Sequence, residues 1–465
     1  MVDAASIRAR VRDARRASGA WLVALDDDPT GSQSVHGLDL VTVFEPAEYE
    51  AALGRDVGAC FVLTNTRSLT EADAVAVNER VADQLHTLAA DRGRRPDLVS
   101  RGDSTLRGHV IAEVDALDRA HRRVHGAGYD GVVFAPAFFD AGRTTVDDVH
   151  RVRLDGRDVP AAETEYARDA TFGFRSSNLR EFLAEKSGGR VRADDVASVS
   201  LDDIRLGGVD RVAAILAGLR DGRFVVVNAE HDADYDVVAL AMVEAAARGA
   251  RLLTRAAPSF VRALAGTDPI EPLGPTDLWR PDGRSDHGLV VVGSHVSGTT
   301  RQVRALLDGR PVEHLELDVA RVLDAATRDD HVADLARRCR DALAGTEVVI
   351  TTSRTVATGA DADDSLAIAR TVSRAVTEVT GEVVAGAAPA WVVAKGGITS
   401  HDVAVSALGI RRAEVVGQMG RGIISVLRPV VADEAAVGMP YVVFAGNVGT
   451  DTALLDVVDT LASTP

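Results

Sequence analysis

Cysteine is almost absent: Cys60 and Cys339 are the only two among 465 residues. That excludes a disulfide framework and a cysteine-rich metal site, and it suits a reducing compartment. Aromatic residues are scarce at 4%, and the 52 Lys and Arg are outnumbered by 69 Asp and Glu, for a formal net charge of −17. A surface of that sign, with few rings to stack on bases, argues against nucleic acid as a partner. No apolar run approaches the length of a membrane span, and no hydrophobic segment follows the charges near the N-terminus. The expectation is a cytoplasmic protein with no membrane partner. An anionic substrate would need a local group of Arg and Lys to overcome the overall field.

What is present is a repeated alternation of short apolar runs with helical patterns, over a length that suits two α/β domains better than one core. Residues 4–17 read as an amphipathic lead-in helix. Runs at 22–25, 38–44, 59–64, 97–100, 131–135 and 223–228 read as strands, with helices at about 70–90, 108–125 and 234–247. Residues 136–195 look irregular, rich in Arg, Asp, Thr and Gly, as binding loops and lids are. Between 266 and 288 the chain carries Pro269, Pro272, Pro275 and Pro281, which stop regular structure and stiffen a connection. The expected organisation is therefore a first domain over 1–266, a Pro/Gly-rich linker over 267–287 and a second domain over 288–465. In the second domain, strands are expected at 289–292, 347–352, 391–394 and 441–445. Each domain should be a mainly parallel sheet flanked by helices, with the active site in the interdomain cleft.

The most informative stretch begins at Leu22. Four apolar residues lead directly into Asp26, Asp27 and Asp28, and then Pro29, Thr30 and Gly31 turn the chain. Three like charges at the end of a buried strand repel one another unless a cation, a polyol or several donors lie opposite. Strand C-terminal ends are also where open α/β sheets bind ligands. The alternative is a solvated acidic turn with one carboxylate capping a helix.

A second strand end carries Arg101, Asp103, Ser104, Thr105 and Arg107. Carboxylate and hydroxyls suit polyol hydroxyls, while guanidinium groups can grip a carboxylate with paired N–H donors; Arg143 offers another. An acid that is also a polyol would use both. The competing reading is a structural ion pair at a helix start.

Three glycine- or hydroxyl-rich turns follow strands in the second half: Gly293-Ser294-His295, Lys395-Gly396-Gly397-Ile398-Thr399-Ser400, and Gly446-Asn447-Val448-Gly449. Each precedes a helical pattern, so backbone N–H groups would point at a phosphate. Lys395 stands where it could neutralise that phosphate, or simply be a surface lysine. Neither the P-loop nor the G-x-G-x-x-G fingerprint occurs. His36, His109 and His295 have no metal-ligand spacing and read as ordinary polar residues.

These motifs resemble those of the four-carbon acid sugar kinases. The family's Asp-Asp-x-Thr-Gly falls on Asp27, Asp28, Thr30 and Gly31, and its Asp-Ser-Thr-Leu-Arg-Gly on Asp103 to Gly108. Its Gly-Arg-Thr falls on Gly142 to Thr144, and its C-terminal glycine turns fall on those just described. The resemblance implies ATP as phosphoryl donor, contacted by Ser294, Gly396 to Ser400 and Gly446. It also implies an acid sugar, such as threonate, erythronate or a 3-oxo-tetronate, held by the first-domain turns.

In that frame Asp27 or Asp28 positions or deprotonates the acceptor hydroxyl, or helps hold Mg²⁺ carried by ATP. Thr30, Gly31, Arg101, Asp103, Ser104, Arg107 and Arg143 bind the acid. A homo-oligomer is compatible with this reading. Two alternatives stay open. Asp26-x-Asp28-x-Thr30 also fits a haloacid-dehalogenase-type phosphatase with Asp26 as nucleophile, and a non-catalytic sugar-acid sensor would use the first domain alone.

Overall fold

The computed structural model describes residues 4–32, 34–55, 58–154, 156–353, 362–420, 424–446 and 448–464. It divides into two units, Met1–Ile270 and Glu271–Pro465. The fold class is α/β, as the alternation of patterns implies.

In the first unit the strands are β1 (Trp21–Asp26), β2 (Leu38–Val41), β3 (Ala59–Leu63), β4 (Pro96–Arg101), β5 (Gly131–Ala135), β6 (Arg143–Val146), β7 (Val149–Leu154), β8 (Arg157–Pro160), β9 (Ala197–Val199), β10 (Arg223–Val227) and β11 (Leu252–Ala256). Eight of them form a parallel array in the order β2-β3-β1-β4-β11-β5-β10-β9. Every residue of β1 is buried. That explains its continuous apolar run, because a parallel strand covered on both faces has no solvent side for polar residues. Helix Glu71–Asp91 starts where Thr70 accepts from the Asp73 N–H at 3.2 Å. Helix Val110–His125 ends on Gly126 at φ 70°, the left-handed conformation glycine adopts without strain. Val81, Leu85, Val114 and Leu117 of these helices join Val23, Leu25, Val62 and Leu98 of the sheet in one apolar cluster.

The stretch 136–195 is more regular than its composition suggests. It contains the antiparallel sheet β6-β7-β8, several 3-10 turns and helix Leu179–Lys186. Its strands are short and charged (Arg151, Arg153, Arg157, Asp158), so no apolar alternation betrays them.

In the second unit the strands are β12 (Leu289–Val292), β13 (Glu313–Leu317), β14 (Val348–Thr352), β15 (Val392–Lys395), β16 (Arg412–Gln418), β17 (Ile424–Val431) and β18 (Tyr441–Phe444). Their order is β13-β14-β12-β15-β18-β17-β16. The first five run parallel, and β17 and β16 add on antiparallel. Among the described residues between 267 and 288 there is no helix or strand. Among the described residues no helix is long and apolar enough to cross a membrane.

Candidate active site

In an open parallel sheet a crevice forms where successive connections leave a strand in opposite directions. In the first unit that point lies at β1: the chain passes to β2 and β3 on one side, then crosses to β4 on the other. The residues there are the acidic turn after β1, Thr64 to Arg67 after β3, and Arg101 with the following loop at the end of β4. Sequence-predicted residues far apart in the chain are thus brought to one sheet edge.

The three aspartates are not equivalent. Asp26 is wholly buried, and its Oδ1 accepts from Arg101 Nη1 at 2.8 Å. Its Oδ2 has no partner and lies against Gly31, where a Cβ would overlap the carboxylate. Burial pushes the Asp26 carboxyl up to about 7, against the pull of Arg101 and with the help of Asp27 and Asp28. Asp27 is also buried. It is gripped by Arg67 on both oxygens, Nη2 to Oδ1 at 2.7 Å and Nε to Oδ2 at 3.2 Å, and Arg101 approaches to 3.4 Å. Asp28 is the partly exposed one, with 21% of its side chain open. Burial opposes its charge, but Arg67 at 3.3 Å and the Thr30 hydroxyl and N–H outweigh it and hold the carboxyl below its ordinary range.

The loop after β4 continues the alternation of charges. Asp103 accepts from Arg107 Nε at 2.7 Å, from the Thr105 N–H at 3.1 Å and from the Thr105 hydroxyl, and it lies 4.0 Å from Arg67. Against the cost of burial, Arg67, Arg107 and Arg143 keep it well below the usual carboxylate range. Arg143 at the start of β6 donates to Ser104 Oγ at 3.0 Å, and its buried Nε has no partner. Behind the loop, Arg255 of β11 donates to Ser100 Oγ at 2.6 Å and pairs with buried Glu113. A Cβ on Gly102 would run into that guanidinium. Leu106 adopts φ 69°, which bulky residues rarely do, so the loop is held by its surroundings rather than by local preference.

Arg101 therefore does not face outward as a carboxylate reader. Its Nη1 points into the protein toward Asp26 and Asp27, with 4% of the side chain exposed. Arg67, which sequence reasoning missed, is the residue that joins Asp27, Asp28 and Asp103. Its signal was positional: Asn65-Thr66-Arg67-Ser68 follows an apolar strand directly, as the recognised loops do.

In the second unit the corresponding point lies between β12 and β15, since β13 and β14 lie to one side and β15 and β18 to the other. Gly293 and Gly396 meet there. A Cβ on Gly293 would overlap Thr399 Oγ1, and Gly396 has φ 121°, so both positions need glycine. Gly446 closes the third side: its carbonyl accepts from Thr299 Oγ1 at 2.8 Å, and a Cβ would stand 2.7 Å from Ser294 Oγ. Helix Gly397–Asp402 begins on this turn, with Ile398 exposed and Ser400 buried, its hydroxyl donating to the Ala394 carbonyl at 2.8 Å. Gly449 has φ 85°; Asn447 lies outside the described residues.

Lys395 is neither a surface lysine nor a free phosphate ligand. It is fully buried, donates to the Ala445 carbonyl at 2.6 Å and sits 3.7 Å from the centre of the Phe444 ring. Burial lowers its amine to about 7. It ties the β15 turn to the β18 turn. Beside the turns lies a cavity of about 220 Å³ lined by Gly293, His295, Val372, Val376, Ile398 and Thr399.

These two sheet edges, one dense in alternating carboxylates and guanidiniums and one bare and glycine-lined, agree with what known proteins show. Residues 22–264 match the family model of a sugar-binding N-terminal domain, and residues 289–454 match that of a nucleotide-binding C-terminal domain. The chain belongs to the four-carbon acid sugar kinase family. It is similar to D-threonate kinase of Salmonella typhimurium (strain LT2), 31% identical over 260 residues, 56% of this chain and 54% of that protein. The chain thus spans about half the length of the curated relative it matches. Two solved structures share the fold. One is from Salmonella typhimurium LT2 (TM-score 0.68, 16% identity, 94% of this chain and 98% of that one), and the other is Haemophilus influenzae protein HI1011 (TM-score 0.61, 18% identity, 93% and 98%).

For a member of the acid sugar kinase family, the buried state of Asp26 is informative. A phosphatase-type nucleophile must reach a phosphorus atom in line, and Asp26 has its oxygens turned to Arg101 and to the backbone at Gly31. Among the described residues no three His, Cys, Asp or Glu side chains are grouped to hold a metal ion.

Proposed function

We propose that this protein is an ATP-dependent kinase that phosphorylates a hydroxyl of a four-carbon acid sugar such as threonate, erythronate or a 3-oxo-tetronate. The observation that carries the reading is the pairing of Asp28, Asp103 and Arg67 at the β1 switch point of a sugar-binding domain. Together they offer acceptors for sugar hydroxyls and donors for a carboxylate within a few ångströms. The relatedness to a D-threonate kinase supports the substrate class, and the nucleotide-binding domain supports the donor.

In this reading Thr30, Gly31, Asp103, Ser104, Arg107 and Arg143 bind the acid. Asp28 is the group that meets the acceptor hydroxyl, because it is ionised and partly open. Asp27, gripped by Arg67 and Arg101, fixes the turn that aims it, and Arg101 acts through that turn. Phosphoryl transfer asks for alignment and charge neutralisation more than for a strong base, so an aspartate of low basicity suffices to orient the hydroxyl.

The nucleotide's phosphates rest on N–H groups of the turns that carry Ser294, Gly396–Ser400, Gly446 and Gly449. Its base enters the neighbouring apolar cavity. Mg²⁺ arrives as the MgATP complex. A cytoplasmic location and the two-domain boundaries at 1–266 and 288–465 belong to the same proposal.

Incubation with MgATP and a panel of four-carbon acids tests it. ADP formed only in the presence of one of the acids supports the kinase. Phosphate released from phosphorylated tetronates would establish a phosphatase instead, and tight binding of an acid without turnover would establish a sensor.

A further inference from the structure

The guanidiniums of Arg107 and Arg143 both lie over one ring, that of Tyr166, at 5.2 and 5.9 Å from its centre. Tyr166 comes from the 3-10 turn Glu165–Arg168, in the segment between β8 and helix Leu179–Lys186. An aromatic ring attracts a guanidinium through its electron-rich face without adding a charge, so one ring can hold two cations in place.

The rest of each arginine is also tethered. Arg107 Nε is committed to Asp103 at 2.7 Å, with Asp169 3.9 Å from its Nη1. Arg143 Nη1 is committed to Ser104 at 3.0 Å, while its buried Nε has no acceptor. The turn carrying Tyr166 is pinned in turn. Asp169 accepts the N–H groups of Thr171 and Phe172 at 2.9 Å each, and Phe172 meets His109 edge to face at 5.0 Å. His150, buried beneath, holds the Ser104 carbonyl at 2.8 Å and Thr145 at 3.0 Å.

We propose that Tyr166 is a positioning residue that sets substrate class: its ring holds Arg107 and Arg143 as one reader for the carboxylate of the acid, and so selects acids over neutral polyols. The inference rests on the reading that the first unit binds a four-carbon acid, and it adds the residue that makes the recognition depend on the carboxylate. A carboxylate brought to the pair supplies a counter-charge that both guanidiniums can share through paired N–H donors. A neutral tetritol does not.

The test is steady-state kinetics of wild type, Tyr166→Phe and Tyr166→Leu at saturating MgATP. The probes are D- and L-threonate, D- and L-erythronate, and the matching neutral tetritols threitol and erythritol. Tyr166→Phe keeps the ring and is expected to keep the wild-type KM. Tyr166→Leu removes the ring and is expected to raise KM for the preferred acid about tenfold, with kcat changed less than about twofold. The preference in kcat/KM for acid over tetritol should fall by the same factor as KM rises.

An unchanged KM in Tyr166→Leu, equal damage in the Phe and Leu variants, or a loss confined to kcat overturns the proposal. Tyr166→Gln serves as a second ring-free variant if the leucine protein loses its thermal transition, with the same expected outcome. Wild-type turnover of an acid without any Tyr166 effect sinks this inference alone. Absence of turnover with every acid sinks the kinase reading, and this inference with it.

Discussion

Arg67 Nη2 stands 2.7 Å from Asp27 Oδ1, while its Nη1 stands 3.3 Å from Asp28 Oδ2, so one guanidinium fixes the two neighbouring carboxylates. Arg67 arrives from the end of β3 and the aspartates from the end of β1, which makes this contact the clamp that shapes the acidic turn. Asp103 shares the same guanidinium from 4.0 Å. Burial disfavours its charge, but these three carboxylates outweigh that and push the Arg67 pKa further upward.

Arg67→Met should therefore act on both fold and site. Removing the cation leaves carboxylates facing one another in a largely buried setting, and breaking such a set costs about 3–5 kcal/mol. Urea unfolding reads the stability loss. The kinetic expectation is that kcat/KM for the acid collapses while the affinity for ATP, which the proposed reading assigns to the other unit, stays close to wild type. A variant as stable as wild type would show that the clamp does not hold the turn.

Asp28→Asn probes the hydroxyl-orienting role. The substitution keeps shape and the bonds from Thr30 but removes the charge that, in the proposed reading, orients the acceptor hydroxyl. A positioned acid–base group is worth about 10²–10⁴ in rate, so kcat should drop by at least the lower figure. ATP binding, followed by calorimetry, should be nearly unchanged. Retention of most activity with the preferred acid would move the role to another group.

The glycine turns make a prediction with an internal control. Gly293→Ala places a methyl on Thr399, and repacking a tight contact costs about 1–3 kcal/mol. It should also raise KM for ATP, because the turn must open to admit the methyl. Gly397, one residue past Gly396, has open space where its Cβ would lie. Gly397→Ala should change stability by less than about 0.5 kcal/mol. Thermal melting and ATP titration of both variants check the pair.

Much of this arrangement was readable from the chain. The apolar run of β1 stopping at three aspartates, the Asp103-to-Gly108 loop and the glycine turns stood out because each breaks a hydrophobic pattern abruptly. Arg67 and Arg255 did not. A single arginine after a strand looks like any surface residue, and Arg255 within β11 even hides the strand, since a buried ion pair with Glu113 takes the place of an apolar side chain. Tyr166 was invisible for another reason: it matters through two arginines that lie 59 and 23 residues before it in the chain, which the positions 107, 143 and 166 show by subtraction. Strands β13 and β16 escaped notice because charged residues, exposed Glu313 and Glu316 in one and half-buried Arg412 and Glu414 in the other, alternate with the buried residues.

Lys395 should leave a mark on the pH dependence of stability. Its pKa is 10.5 in the ordinary case and about 7 in the folded protein. Between those values the unfolded chain binds the proton and the folded one does not, so stability rises with pH across that window and is lost as pH falls toward 7. Lys395→Met removes the titrating group. Urea midpoints measured from pH 7 to 10 should depend on pH less steeply in the variant than in wild type.

Asp26 gives the opposite sign and separates two chemistries. Its carboxyl moves from 3.8 to about 7 on folding. The folded state holds the proton more tightly, so this contribution is complete below pH 4 and is lost as pH rises through 7. Asn is close in shape to the protonated acid and can still accept from Arg101 through its carbonyl oxygen. Asp26→Asn should then fold, lose this pH-dependent component and keep phosphoryl transfer to the acid within about tenfold of wild type, the loss being one of alignment. Were Asp26 a phosphatase nucleophile, the same change would remove the atom that forms the covalent intermediate and abolish turnover. Activity of Asp26→Asn and Asp28→Asn, assayed side by side with MgATP and the preferred acid, decides which aspartate meets the substrate: the order expected is a mild loss at Asp26 and a severe one at Asp28, and the reverse order would place the chemistry at the buried end of the turn.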